Sequence, residues 1–154
     1  MYSNEIKLYC IKYNECDPKK CTALKLSNLG LLKIIKRIKG KLNKAIVLNP
    51  LSKFELSRKD KSLIQNYGLI VLDCSWKKVL KLSNRSDINS RRLPPLIATN
   101  PVNYGKWEKL SSAEALAAAL YIVSYKNQGR LILSKFRWGN EFWKINKNLL
   151  EKKK

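Results

Sequence analysis

The sequence contains no histidine. This removes the commonest general base near neutral pH, the commonest protein metal ligand, and every Ser–His or Cys–His nucleophilic pair. Ribonuclease chemistry based on paired histidines is excluded with them. Acids are scarce too, with 11 Asp and Glu against 32 Lys and Arg. Proton transfer must fall to one of those few carboxylates, to a perturbed Lys or Cys, or to a group on the substrate. No apolar run approaches the roughly 20 residues of a membrane helix: 45–48 and 69–72 are short, and the run over 115–123 is far below that length. Residues 1–9 lack the apolar core of a signal peptide. These absences predict a soluble, cytoplasmic chain with no membrane partner.

Cys10, Cys16, Cys21 and Cys74 form no CxxC pair, and no histidine can complete a mixed ligand set. The expectation is four reduced thiols packed as small hydrophobes, and no metal. What the chain has in excess is positive charge, +21 on 17.8 kDa, which suits a polyanionic partner better than a small neutral substrate. From 18 to 54 there are ten Lys or Arg and no acid, so no local partner neutralises that surface.

At 154 residues the chain can bury one ordinary core. Residues 5–13 alternate apolar and polar types, the pattern of a half-buried strand. Leu31, Leu32, Ile35, Ile38 and Leu42 recur at helical spacing among lysines and predict a basic amphipathic helix. Residues 45–48 read as a buried strand, 57–66 as a helix closed by Gly68, 69–72 as another strand and 96–99 as a further one. Ser111 with Glu114 is a capping box that opens an Ala-rich helix to about Lys126, broken over 127–129. A C-terminal helical segment follows, interrupted near Gly139. The alternation predicts an α/β protein with a largely parallel sheet, whose ligands gather at the carboxyl ends of the strands. Those ends are 48–50, 72–76 and 99–101.

At these positions the sequence resembles the archaeal and eukaryotic family of ribosomal RNA aminocarboxypropyltransferases. The resemblance rests on LPPLIATNPVNYGKWEKLSSAEALAAAL over 93–120, on DCSW at 73–76 and, more weakly, on DPKKCTALKL at 17–26. It implies the trefoil knot of the SPOUT class, with a small N-terminal α/β part over 1–75 and a C-terminal part over 76–154 completing the knot and the cofactor pocket. It implies S-adenosylmethionine held by Leu48, Pro50, Leu72, Trp76, Leu93, Leu110, Ala115 and Leu116. The amino acid end of the cofactor would meet Thr22 and Ser112, beside backbone N–H groups at a helix start. Ser112 departs from a frequent Thr, and Val79 stands near a position where a smaller residue would ease contact with the cofactor.

The implied reaction moves a 3-amino-3-carboxypropyl group to a uridine-like ring nitrogen of small-subunit ribosomal RNA, free or in a pre-ribosomal subunit, and leaves methylthioadenosine. Asp73 is the carboxylate best placed to act as base or electrostatic guide. Lys33, Lys36, Arg37 and Lys39, with Arg91, Arg92, Lys106 and Lys109, are the candidate RNA contacts. Two other functions fit the sequence, an RNA methyltransferase on the same architecture and a non-catalytic ribosomal RNA-binding assembly factor.

Overall fold

The computed structural model describes residues 5–12, 21–73, 76–107 and 109–152, with Trp76 described by its backbone alone. Five parallel strands form one sheet: β1 (Leu8–Lys12), β2 (Lys33–Ile35), β3 (Ile46–Leu48), β4 (Leu69–Asp73) and β5 (Asn89–Arg91), in the order β2-β1-β4-β3-β5. The helices are α1 (Thr22–Asn28), α2 (Lys61–Tyr67), α3 (Trp76–Ser83), α4 (Ser112–Ile122), α5 (Lys126–Ser134) and α6 (Gly139–Glu151).

Strand parity sorts the core. Leu8 and Cys10 of β1, Ile46 and Leu48 of β3, and Leu69 and Val71 of β4 join the larger cluster beneath α1, α4, α5 and α6. Their alternates Ile11, Val47 and Ile70 join a smaller cluster on the other face, with Leu72, Leu82 of α3 and Leu42. A strand whose successive residues point to opposite faces, both buried, reads as a continuous apolar run. That is why 45–48 and 69–72 look as they do.

The amphipathic helix expected across 31–42 does not form. Residues 33–35 are instead the edge strand β2, paired in parallel with β1 through Tyr9↔Lys33 and Ile11↔Ile35, and a 3-10 turn follows at Gly40–Lys44. Leu32 and Ile34 pack into the larger cluster while Ile35 and Ile38 pack into the smaller one. Spacings of three and four between apolar residues fit a helix, but here Leu31 and Leu32 join one cluster while Ile35, Ile38 and Leu42 join the other, so the five do not share one face. A free edge on β1 decided the outcome, because its backbone groups need partners.

The segment 96–99 is no sheet strand either. Asn146 of α6 brackets Ile97, accepting from its N–H at 2.8 Å and donating to its carbonyl at 2.9 Å. Ala98 donates to the Lys106 carbonyl and accepts from Gly105 N–H. Thus side chains and a turn satisfy backbone that a strand would have used in pairing. The Ala-rich helix ends earlier than expected, at Ile122, and the chain turns away at Ser124, a left-handed residue with φ of 71°. Gly129 lies inside α5 instead of breaking the helix. A Cβ there would stand 2.9 Å from the Ala117 carbonyl of α4, so the glycine permits close contact between the two helices.

Candidate active site at the strand ends

The carboxyl ends of β3 and β4, the chain leaving β5 and the start of α4 enclose a cavity of about 300 Å³. Its walls include Leu48, Pro50, Leu72, Asp73, Leu93, Leu110, Ser112 and Ala115, residues from four separate stretches of chain. A hollow with apolar walls and several converging polar groups at the end of a parallel sheet is a usual form of a small-molecule site. Asn49, Val71, Arg92, Pro94, Leu96 and Ser111 complete it. Asn49 is 2% exposed and binds both the Ser83 hydroxyl and Leu51 N–H. The Asn-Pro pair signals this turn in the sequence, but nothing local signals its partner Ser83. Leu116 is wholly buried in the core and is not among the lining residues. Thr22 lines an adjoining cavity. The side chain of Trp76 lies outside the described residues, as do Cys16 and Cys74.

Asp73 follows Leu69 and Val71 at alternate positions, so strand parity turns it toward α1 and α4. There the Cys21 thiol donates to its Oδ2 at 3.5 Å. Cys21 also caps α1, accepting from Leu24 N–H through sulfur. Cys10, fully buried on the same face of β1, has its thiol pushed far up in pKa, chiefly by burial and then by the Asp73 charge and by Cys21, while hydrogen bonding to Ser112 opposes the shift. A neutral thiol, a carboxylate and two hydroxyl-bearing residues therefore converge where β1, β4, α1 and α4 meet.

The start of α4 is not simply an open row of donors. Thr22 Oγ1 accepts from Ala113 N–H at 3.1 Å, and Ser111 Oγ accepts from Glu114 N–H at 3.2 Å. What this end can offer an anion is the Ser112 N–H and hydroxyl together with the positive pole of the helix. Glu114 is completely buried and does more than cap. Its carboxylate accepts from Ser111 N–H, from Thr99 N–H and Oγ1, and from Asn100 Nδ2. The 99–101 turn is thereby fixed against the helix start, where the sequence places a third strand end.

Lys33, Lys36, Arg37 and Lys39 are all exposed, on β2 and the loop after it. Lys106 and Lys109 are exposed on the loop before α4. Arg91 and Arg92 also make contacts within the chain. Arg91 pairs with buried Asp60 at 3.1 Å and lies over the Phe54 ring, while Arg92 donates to the Ser52 and Lys53 carbonyls. Both guanidiniums tie the 52–60 segment to the strand edge.

Residues 46–154 match the family described as "Ribosome biogenesis protein, C-terminal". Residues 6–40 also match "Possible Fer4-like domain in RNase L inhibitor". In that stretch Cys10 and Cys21 are buried free thiols, and no metal-holding group of three or more ligands occurs among the described residues. A 16S rRNA aminocarboxypropyltransferase of Methanosphaera stadtmanae is 48% identical over 95% of this chain and 86% of its own length. The enzyme of that name from Methanosarcina mazei is 42% identical over 97% and 86%. The structure of the SAM-dependent rRNA:acp-transferase Tsr3 from Vulcanisaeta distributa superposes with a TM-score of 0.89 at 36% identity, over 96% of this chain and 82% of that one. Identity at this level along nearly the whole chain, in the same fold, shows that the chain belongs to the 16S rRNA aminocarboxypropyltransferase family.

Proposed function

We propose that this protein transfers a 3-amino-3-carboxypropyl group from S-adenosylmethionine to a ring nitrogen of a methylated pseudouridine, or a similar uridine-like base, in small-subunit ribosomal RNA. The observation that carries the reading is the convergence of Leu48, Pro50, Leu72, Leu93, Leu110 and Ala115 around one cavity that also holds Asp73 and Ser112. These residue types fit the ligand, with aliphatic walls for an adenine and a carboxylate on the side of a sulfonium. When bound, S-adenosylmethionine supplies carbons made electrophilic by the adjacent sulfonium.

The protein's part is to select one of those carbons by position. The apolar walls would shield the methyl carbon, and Thr22 and Ser112 would hold the amino acid end. Asp73, or water, would take the imide proton of the base, and methylthioadenosine would leave the apolar pocket as the product that keeps the sulfur. Lys33, Lys36, Arg37, Lys39, Lys106 and Lys109 bring the RNA together with Arg91 and Arg92, of which Arg92 also lines the cavity. In this reading residues 1–75 are a small N-terminal α/β part, residues 76–154 complete a trefoil knot of the SPOUT class and the cofactor pocket, and the enzyme works in the cytoplasm. Among the described residues no helix is long and apolar enough to cross a membrane.

Incubation with small-subunit RNA and S-adenosylmethionine labelled in its carboxyl group tests the reading. Label should enter RNA with methylthioadenosine as co-product, while label in the methyl group should stay out of RNA. Methyl incorporation with S-adenosylhomocysteine would establish a methyltransferase, and no incorporation of either label would leave RNA binding alone.

A further inference from the structure

A second cavity, of about 710 Å³, opens beside the first between α1, the 100–102 turn and the connection from α5 to α6. Ser111 lines both cavities. Cys21, in the wall of the second, donates to Asp73, in the wall of the first. The junction therefore lies beside the carboxylate and the Thr22–Ser112 pair, the end of the first cavity assigned to the transferred chain.

The outer wall is aromatic. Phe136 and Trp138 are half-buried, with ring centroids 5.0 Å apart and tilted by 31°. Lys25 reaches across from α1, its Nζ 4.9 Å from the centre of the Phe136 ring and 2.6 Å from the Lys135 carbonyl. This cation fixes the wall in place and puts positive charge at the mouth. Leu29 and Val102 remain 50% and 60% exposed at the rim, which an ordinary solvent-facing loop does not require.

We propose that this cavity is the acceptor subsite, seating one unpaired RNA base against Trp138 and Phe136 with its ring nitrogen directed to the junction at Ser111. The proposal rests on the transfer reading above and adds where the substrate enters. Reacting atoms must come within about 3 to 3.5 Å, so the acceptor needs an opening continuous with the transferred chain, and this cavity supplies one. Aromatic walls take a splayed base by its flat face irrespective of sequence. The +21 charge and Lys25 favour an RNA strand over an apolar partner at the same mouth.

The test uses the full chain, carboxyl-labelled S-adenosylmethionine and small-subunit RNA lacking the modification. Trp138→Ala should lower kcat/KM for RNA by about ten- to a hundredfold, the range expected for loss of one base–aromatic stack, with S-adenosylmethionine affinity kept within about twofold. Trp138→Phe should retain most of the rate. Asn28→Trp, at an exposed position lining the cavity that cannot threaten the core, should block transfer without lowering thermal stability. Wild-type transfer by both Trp138→Ala and Asn28→Trp overturns the proposal. So does a parallel loss of cofactor affinity, which would make the cavity part of the cofactor site, or a change in self-association alone, which would make it a protein interface. A wild-type chain that binds cofactor but transfers no label rejects the transfer reading itself, a result distinct from any effect of the variants.

Discussion

Asp73 carries the heaviest chemical role assigned to one side chain, and its surroundings say how to probe it. Asp73→Asn keeps the shape and an acceptor for the Cys21 thiol. If the carboxylate accepts the imide proton, single-turnover transfer should slow by about 10² to 10⁴ near neutral pH. Higher pH should restore part of the rate, as the base then deprotonates unaided. Full activity with an unchanged pH profile would leave Asp73 a positioning role only. Cys10 makes the opposite prediction, of inertness. Burial and the nearby Asp73 charge hold its thiol protonated, so it should resist iodoacetamide at pH 8 in the folded protein and react once urea unfolds the chain, as peptide mapping would show. Above the ordinary thiol range the unfolded chain loses a proton that folded Cys10 keeps. The stability tied to this group is therefore present at neutral pH and declines as pH rises through that alkaline window.

At the scale of elements, the glycines and one buried acid decide how closely helices approach. Gly139 begins α6 where an added Cβ would overlap the Leu133 carbonyl of α5. Backbone cannot yield there as a flexible side chain would, so Gly139→Ala should destabilise the fold by about 1 to 3 kcal/mol, read by urea unfolding. An unchanged midpoint would mean that α5 and α6 separate freely. Glu114 accepts from four donor groups, three from the 99–101 turn and one from Ser111 at the α4 start, and so joins the two. Glu114→Ala should cost about 2 to 4 kcal/mol, because several buried donors lose their acceptor together. A loss of under about 1 kcal/mol would show that water replaces the carboxylate there. The capping box was legible in sequence because it is local. The Thr99 and Asn100 contacts were not, because nothing near residue 114 specifies which turn will lie against it.

For the molecule as a whole, charge governs association with RNA more than it governs the fold. A complex that neutralises several phosphates weakens as salt rises, with a log–log slope of about −0.7 per contact on single strands. Replacing Lys33, Lys36, Arg37 and Lys39 together with Gln should reduce that slope by up to about 3 while leaving S-adenosylmethionine binding nearly unchanged. An unchanged slope would move the RNA surface to Arg91, Arg92, Lys106 and Lys109. The four residues act here as an exposed edge strand and loop, so their reach follows an extended chain instead of one face of a helix.

What the sequence determined by itself was whatever depends on residue type or short spacing. The absence of histidine narrowed the acid–base chemistry, and the excess of lysine pointed to a polyanion. The runs 45–48 and 69–72 marked strands buried on both faces, and the Ser111–Glu114 pair marked a helix start. The motif at 93–120 carried the resemblance to the family. Tertiary structure alone decided the rest. It made a strand of 33–35, since the open edge of β1 needed hydrogen-bond partners that a free helix would not supply. It denied a strand to 96–99, whose backbone Asn146 and Glu114 already satisfied. It also set Cys10, Cys21, Asp73 and Ser112 around one junction, four residues from four elements. Such groupings arise from long-range pairing of strands and packing of helices, and neither residue type nor periodicity encodes which distant segments meet.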